Sequence, residues 1–167
     1  VEIGFRGTNP KKLDDLITDA RIAAGIEEGS QQFQDADQLV KDIRVKYGEY
    51  PEHSSGHSLG GAKSMTLGQK YNIETTNFNP FIGRNLYKTS AETTTPAKQT
   101  IIRTTEDPVS LGLAFKPGLG QKDSWEVKVL NPLEDSMNPV RAHSLDNFFQ
   151  TRGRPRHEGT STTEELA

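Results

Sequence analysis

The sequence predicts an α/β protein, in which helices cover a largely parallel β-sheet. Two observations predict this fold. Short runs of alternating or β-branched residues recur along the chain, and segments with helical spacing lie between them. Strands that alternate with helices in this way form parallel sheets. The 167 residues are enough for one domain with a single core.

The strands are predicted from period-two alternation and from β-branched residues. They lie at residues 1–5, 73–79, 99–105 and 125–130. A polar segment at 50–55 precedes a glycine-rich turn and is a poor candidate for a strand in the middle of a parallel sheet. The turn itself follows directly and leads into a helix pattern.

Four helices are predicted between or after these strands. The first covers residues 11–24, after a proline start signal. In the second, Ser30 is a candidate N-cap, Gly48 ends the helix, and apolar residues follow helical spacing along one face: Phe33, Ala36, Val40, Ile43 and Tyr47. The third covers residues 59–71. A short last helix is predicted to begin at the cap residue Ser144 and to run through Phe149.

Composition excludes several functions. The formal net charge of -3 provides no basic field, so we expect no nucleic-acid partner. The chain has no cysteine, which excludes disulfides, zinc–thiolate sites and a cysteine nucleophile. Mean hydropathy is -0.71, and no apolar run reaches membrane-spanning length. The subcellular location stays open.

Residues 1–150 are expected to form the domain, and residues 151–167, which are polar and without aromatic side chains, a tail or linker. The first residue is Val1, already within a predicted strand. We therefore expect the chain to be a piece of a larger parent polypeptide.

The string Gly56-His57-Ser58-Leu59-Gly60 has the Gly-x-Ser-x-Gly pattern of a nucleophile elbow. In such an elbow the serine occupies a sharp, strained turn between a strand and a helix, and small neighbours prevent clashes. The N-terminus of the following helix offers free N–H groups to a developing oxyanion. Ser58 is therefore a candidate nucleophile, although the pattern also occurs in ordinary turns.

A second oxyanion donor is expected from the loop after an earlier strand. The string Phe5-Arg6-Gly7-Thr8 ends such a strand. Thr8 can offer a backbone N–H and a hydroxyl, and Leu59 would supply the other N–H. A simple glycine turn is the alternative interpretation of this string.

An acid and a base follow in the order that the elbow requires. Asp107 comes directly after a predicted strand, Pro108 fixes the turn, and Glu106 is a rival for the same role. His143 is downstream of this acid and outside the polar tail. Ser58, Asp107 and His143 thus follow the order Ser…Asp…His of this type of hydrolase.

The other histidines are given no catalytic role by the sequence. His53 and His157 are expected at the surface. His57 lies inside the elbow and is expected to point away from the pocket.

Together, four segments resemble the class 3 (fungal-type) lipase family of the α/β-hydrolase superfamily: Phe5-Arg6-Gly7-Thr8, Gly56-His57-Ser58-Leu59-Gly60-Gly61-Ala62, Asp107-Pro108-Val109 and His143. The resemblance covers residues 1–149. It implies Ser58 as nucleophile, Asp107 as triad acid and His143 as base, with Thr8 and Leu59 forming the oxyanion hole. It also implies a three-layer α/β-hydrolase sandwich, reduced or truncated at its N-terminus.

The resemblance further implies a serine ester hydrolase, acting on a lipid or small ester through an acyl-enzyme, with no metal and no cofactor. The helix at 11–24 would be a lid, and transient contact with a lipid surface would follow. The polar segment at 50–55 departs from the family, whose members have apolar β-branched residues there. A catalytically silent lipase-like binding module, or an amidase or peptidase with the same triad, is the alternative.

Overall fold

The structure is a computed structural model that describes residues 1–7, 31–81, 97–105, 107, 125–131, 139–150, 154–155 and 161–164. Its strands are β1 (Glu2–Phe5), β2 (His53–His57), β3 (Glu74–Phe78), β4 (Gln99–Thr104), β5 (Trp125–Leu130), β6 (Phe149–Gln150), β7 (Arg154–Pro155) and β8 (Ser161–Glu164). Its helices are α1 (Gln31–Tyr47), α2 (Leu59–Tyr71) and α3 (Pro139–His143), followed by a 3-10 turn at Leu145–Phe148.

The main sheet has the order β1-β2-β3-β4-β5-β8. The first five strands pair in parallel, and β8 pairs antiparallel with β5. The α/β class and the largely parallel sheet are therefore confirmed. The strands β7 and β8 fall within residues 151–167, where the sequence predicted none.

The strand β2 lies between β1 and β3, although its polar sequence made it a poor candidate for that position. Its side chains find polar partners. The buried Ser54 hydroxyl lies 2.8 Å from the hydroxyl of Ser64 on α2, and His53 Nε2 lies 3.0 Å from Thr76 Oγ1 on β3. A buried polar group costs little when it is hydrogen-bonded, so these pairs make a polar central strand possible.

The helix α1 has the bounds predicted from its cap and stop signals. Phe33, Ala36 and Val40 are buried, as the spacing predicted, whereas Tyr47 at the end of the helix is 52% exposed. Gly48 ends the helix at a φ of 81°, a conformation that favours glycine, and its N–H donates to the Arg44 carbonyl at 2.8 Å. The sequence therefore predicted this helix at both ends.

A core on one face of the sheet joins α1, α2 and the first strands. Its buried members are Ile3, Ala36, Val40, Leu67 and Ile73. None of the helices in the described ranges is long and apolar enough to cross a bilayer.

The surface between α1 and α2 contains a groove of about 490 Å³. Its acid Asp37 accepts hydrogen bonds from Lys41 and Lys70 at 2.7 Å and from Tyr71 at 2.6 Å. Burial by itself raises the pKa of Asp37, but these hydrogen bonds outweigh it and lower the pKa to about 2. The charges of this groove are thus paired with one another, and none of its lining residues belongs to the candidate site.

The predicted helix that begins at Ser144 is wrong in detail. The chain forms α3 before Ser144 and only a 3-10 turn after it. The Ser144 hydroxyl does accept the N–H of Asp146 at 3.2 Å, as a capping residue would. His143 consequently ends a short helix instead of preceding one. The predicted helix at 11–24 lies outside the described residues.

Candidate active site

Ser58 occupies a strained turn between β2 and α2. Its φ of 57° and ψ of -123° lie outside the regions that a residue with a side chain normally adopts. The Ser58 N–H donates to the Phe78 carbonyl at 3.2 Å, and the Ser58 carbonyl accepts from Ala62 and Phe81 at 3.1 and 3.0 Å. Strain of this kind costs about 1–3 kcal/mol and persists where surrounding bonds enforce it.

The glycines around Ser58 allow backbones to approach one another. A Cβ atom on Gly56 would collide with the Gly60 carbonyl, and one on Gly60 would collide with the carbonyl of Phe5. A Cβ on Gly61 would lie 2.7 Å from Pro80 Cβ. The Gly-x-Ser-x-Gly spacing is therefore required by close packing between β1, β2 and the start of α2.

Replacing Gly60 with alanine should destabilise the protein, although alanine normally favours a helix over glycine. The added Cβ meets the Phe5 carbonyl, and overpacking of this kind costs about 1–3 kcal/mol. Gly4→Ala on β1 is the matched control, because a Cβ there has nothing within 4 Å. Urea unfolding should show a lower free energy of unfolding for Gly60→Ala alone; equal values for both variants would contradict the packing argument.

Gly7 brings the loop after β1 against the turn that carries Ser58. A Cβ on Gly7 would lie 2.5 Å from the His57 carbonyl oxygen and 3.4 Å from Ser58 Cβ. Thr8, the next residue, lies outside the described residues. Leu59 is the first residue of α2, where backbone N–H groups have no acceptor inside the helix. The Leu59 peptide and Gly7, the residue before Thr8, thus both lie beside Ser58.

Asp107 and His143 form a buried pair. Nδ1 of His143 lies 2.7 Å from Oδ1 of Asp107, and the side chain of His143 is 1% exposed and that of Asp107 0%. Asp107 follows β4 in a turn in which its N–H donates to the Thr104 carbonyl at 3.3 Å. Because an ionised carboxylate only accepts, Nδ1 carries the proton and Nε2 of a neutral His143 is left as an acceptor.

Ser58 and His143 each contribute a buried polar atom that lacks a hydrogen bond. Ser58 Oγ and His143 Nε2 have no partner among the described residues, and the two are not bonded to each other. Leaving a buried polar group unpaired costs about 1–3 kcal/mol. Native proteins keep few such groups, and those that persist are often functional.

The backbone of His143 is fixed by side chains that the sequence analysis gave no role. The carbonyl of Ala142 accepts hydrogen bonds from Thr104 Oγ1 at 2.6 Å, Asn79 Nδ2 at 3.1 Å and Asn147 Nδ2 at 3.2 Å. Asn79 also accepts the Thr104 N–H at 2.8 Å. Asn79 is the last residue of the strand predicted at 73–79, but that pattern does not indicate the partner that the side chain binds.

His57 does not point away from the site as the sequence analysis expected. Its Nε2 donates to the His143 carbonyl at 2.7 Å, and the two rings lie 4.8 Å apart between centroids. Burial, and to a lesser extent the neighbouring His143, lower the pKa of His57 from 6.5 to about 4, against smaller opposing effects. His57 is therefore a neutral hydrogen-bond donor at neutral pH.

The depressed pKa of His57 should make stability fall in acid. The unfolded chain binds this proton near pH 6.5 and the folded chain only near pH 4. The contribution of neutral His57 to the free energy of unfolding is therefore complete above pH 6.5 and is lost as the pH falls toward 4. The free energy of unfolding should fall by about 3 kcal/mol over this range. Urea unfolding at pH 7, 5.5 and 4 should show a steeper loss for wild type than for His57→Gln; parallel curves would contradict this cause.

The remaining sequence candidates lie elsewhere or outside the described residues. His53 is partly buried and bonded to Thr76, so it is less exposed than a freely solvated surface side chain. Glu106 and His157 lie outside the described residues. Within the described ranges, no group of three or more potential ligand side chains could hold a metal ion.

The fold and these contacts define an α/β protein with a buried Asp–His pair beside a strained serine turn at the carboxyl ends of parallel strands. No model of a known protein family matches the chain, and no curated protein matches it. The case for a function therefore depends on the chemistry of the site.

Proposed function

We propose that the protein is a serine carboxylester hydrolase of the α/β-hydrolase type, with Ser58, Asp107 and His143 as its catalytic residues. The observation that carries the proposal is the buried hydrogen bond from His143 to Asp107. It leaves Nε2, which has no partner in the described part of the chain, as an acceptor on a residue whose ring lies against that of His57, the neighbour of Ser58. A serine hydroxyl needs such a base before it can act as a nucleophile.

In this mechanism Ser58 Oγ attacks the ester carbonyl carbon while its proton passes to His143 Nε2. Asp107 stabilises the imidazolium that forms. The imidazolium then gives its proton to the departing alcohol oxygen, which leaves an acyl group on Ser58. Water attacks the acyl carbon with His143 again taking a proton, and His143 then returns that proton to Ser58 Oγ as the bond from the acyl carbon to this oxygen breaks and the carboxylic acid is released. The site itself is restored.

The N–H of Leu59 and a donor from Thr8 are proposed to stabilise the tetrahedral oxyanion. The position of Leu59 at the start of α2 supports its share, because helix N-termini favour negative charge. The close approach of the Gly7 backbone to the turn of Ser58, which leaves no room for a Cβ atom, supports the share of the neighbouring Thr8. The resemblance to class 3 lipases makes a lipid or phospholipid ester the proposed substrate, with a small soluble ester as the alternative.

Hydrolysis of p-nitrophenyl esters of graded chain length tests the proposal. We expect a burst of about one equivalent of p-nitrophenol followed by steady turnover, because an acyl-enzyme forms before water releases it. Preference for long chains would indicate a lipase, and preference for acetate a small-ester hydrolase. A p-nitroanilide with the favoured acyl group tests the amidase alternative. Absence of turnover above a Ser58→Ala blank would contradict hydrolysis.

A catalytically silent lipase-like module is the second candidate. One observation favours it: Ser58 is only 2% exposed, and its hydroxyl forms no hydrogen bond with His143 Nε2. Catalytic hydrogen bonds often tighten only when substrate binds, so this arrangement is compatible with both functions. Sedimentation with anionic or neutral phospholipid vesicles, in the absence of any ester turnover, would support the silent module.

A further inference from the structure

His57 links the segment that carries the nucleophile to the residue that carries the base. Its Nε2 donates to the carbonyl of His143 at 2.7 Å, and its ring lies against the His143 ring at an interplanar angle of 36°. His57 immediately precedes Ser58 and ends β2. One peptide segment therefore fixes the serine turn and contacts the imidazole.

We propose that His57 is a positioning residue, which holds the His143 imidazole in the orientation that hydrolysis at Ser58 requires. The inference rests on the proposed ester hydrolase function. His57 acts through His143 and needs no contact with substrate. A small error in the placement of a catalytic group is costly, because reacting atoms must lie within a narrow range of distance and angle.

The hydrogen bond from His57 completes a set of contacts that hold two backbone carbonyls, that of Ala142 and that of His143 itself. The Ala142 carbonyl is held by Asn79 just after β3, by Thr104 at the end of β4 and by Asn147 in the 3-10 turn. The His143 carbonyl is held from β2 by His57. Of these contacts, only the second comes from the strand that ends at His57 and leads directly into Ser58, so it couples the base to the nucleophile.

The chemistry of a histidine suits this position. The ionisable groups that face His57 are His143, which ends α3, and Asp107, which follows β4. Burial keeps the pKa of His57 at about 4, so the ring donates its hydrogen bond without a positive charge. A second cation beside His143 would oppose the imidazolium that forms during catalysis.

Two substitutions separate the hydrogen bond from the bulk of the ring. His57→Phe keeps a ring without a donor, and His57→Gln keeps a donor near the position of Nε2. For His57→Phe we expect kcat to fall by about 10- to 100-fold with KM nearly unchanged, and for His57→Gln a loss of only about threefold. His53→Phe is the matched control, because it removes a histidine of the same strand that bonds Thr76 instead of His143. Its kcat should stay at the wild-type value.

Proton NMR provides a readout that does not depend on ester hydrolysis. The Nδ1–H of His143, bonded to the buried Asp107 carboxylate, should give a low-field signal that is absent from His143→Ala. We expect this signal to stay sharp in His57→Gln and to broaden by exchange with water in His57→Phe. If His57→Phe fails to fold by circular dichroism, His57→Asn replaces it, since its shorter amide cannot reach the carbonyl.

The positioning role would be overturned if His57→Phe kept both the wild-type kcat and a sharp Nδ1–H signal from His143. Equal losses of kcat in His57→Gln and His57→Phe would also overturn it. If wild type hydrolyses no ester, the proposed function fails instead. The NMR comparison then decides alone whether His57 positions His143.

Discussion

Ser58→Ala should abolish ester hydrolysis and leave the protein at least as stable as wild type. Loss of a catalytic serine typically lowers kcat by about 10⁶-fold, because nothing else can form the acyl intermediate. The Ser58 hydroxyl is buried and has no hydrogen-bond partner among the described residues. Removing it therefore breaks no hydrogen bond within the described ranges and should raise the free energy of unfolding by about 1 kcal/mol.

Ser64→Ala is the matched control for this prediction. Ser64 is also a buried serine, but its hydroxyl lies 2.8 Å from that of Ser54. Its loss leaves Ser54 unpaired, so we expect a decrease of about 1–3 kcal/mol in the free energy of unfolding with kcat retained. Urea unfolding and ester turnover of both variants check the pair. A marked destabilisation of Ser58→Ala, or its full activity, would contradict the account.

Asp107→Asn should lower kcat by about 10⁴-fold with little change in KM. The amide can donate to His143 Nδ1, which favours the tautomer with the proton on Nε2. That tautomer cannot accept the proton of Ser58, although the geometry of the pair is kept. Steady-state kinetics on a p-nitrophenyl ester, with melting temperature as the check on folding, measure the effect.

Asp37→Asn is the control for the loss of a carboxylate. Asp37 accepts hydrogen bonds from Lys41, Lys70 and Tyr71, and none of its partners belongs to the site. Its replacement should lower the free energy of unfolding at neutral pH, because ionised Asp37 is stabilised in the folded state. It should not change kcat. Equal activity losses in the two variants would mean that Asp107 acts only through stability.

Much of the fold could be predicted because local signals agreed with the packing. The bounds of α1 match a cap signal in the sequence, a 3.6-residue period and a glycine that has a positive φ, and the alternation in β5 reflects its burial. The strand β2 could not be predicted with the same rules. Its polar residues are compensated by Ser64 and Thr76, which are distant in sequence, so no local pattern indicates the pairing.

The candidate site follows the same division. The residue types and their order in the chain predicted Ser58, Asp107 and His143 as the candidate catalytic residues. Of these, Asp107 and His143 do form a pair. The contact of His57 with His143 joins residues 86 positions apart, and it depends on where the end of α3 lies relative to β2. Sequence periodicity contains no information on that placement, so the expectation that His57 points away was wrong.

Labelling with a fluorophosphonate probe tests the central claim, that Ser58 is an activated nucleophile. The probe reacts with serines that a base has made nucleophilic, and it does not require the natural acyl group to be known. We expect folded wild-type protein to be labelled once per chain, at Ser58, and Ser58→Ala to remain unlabelled. Unlabelled wild type, or equal labelling of Ser58→Ala, would contradict the claim.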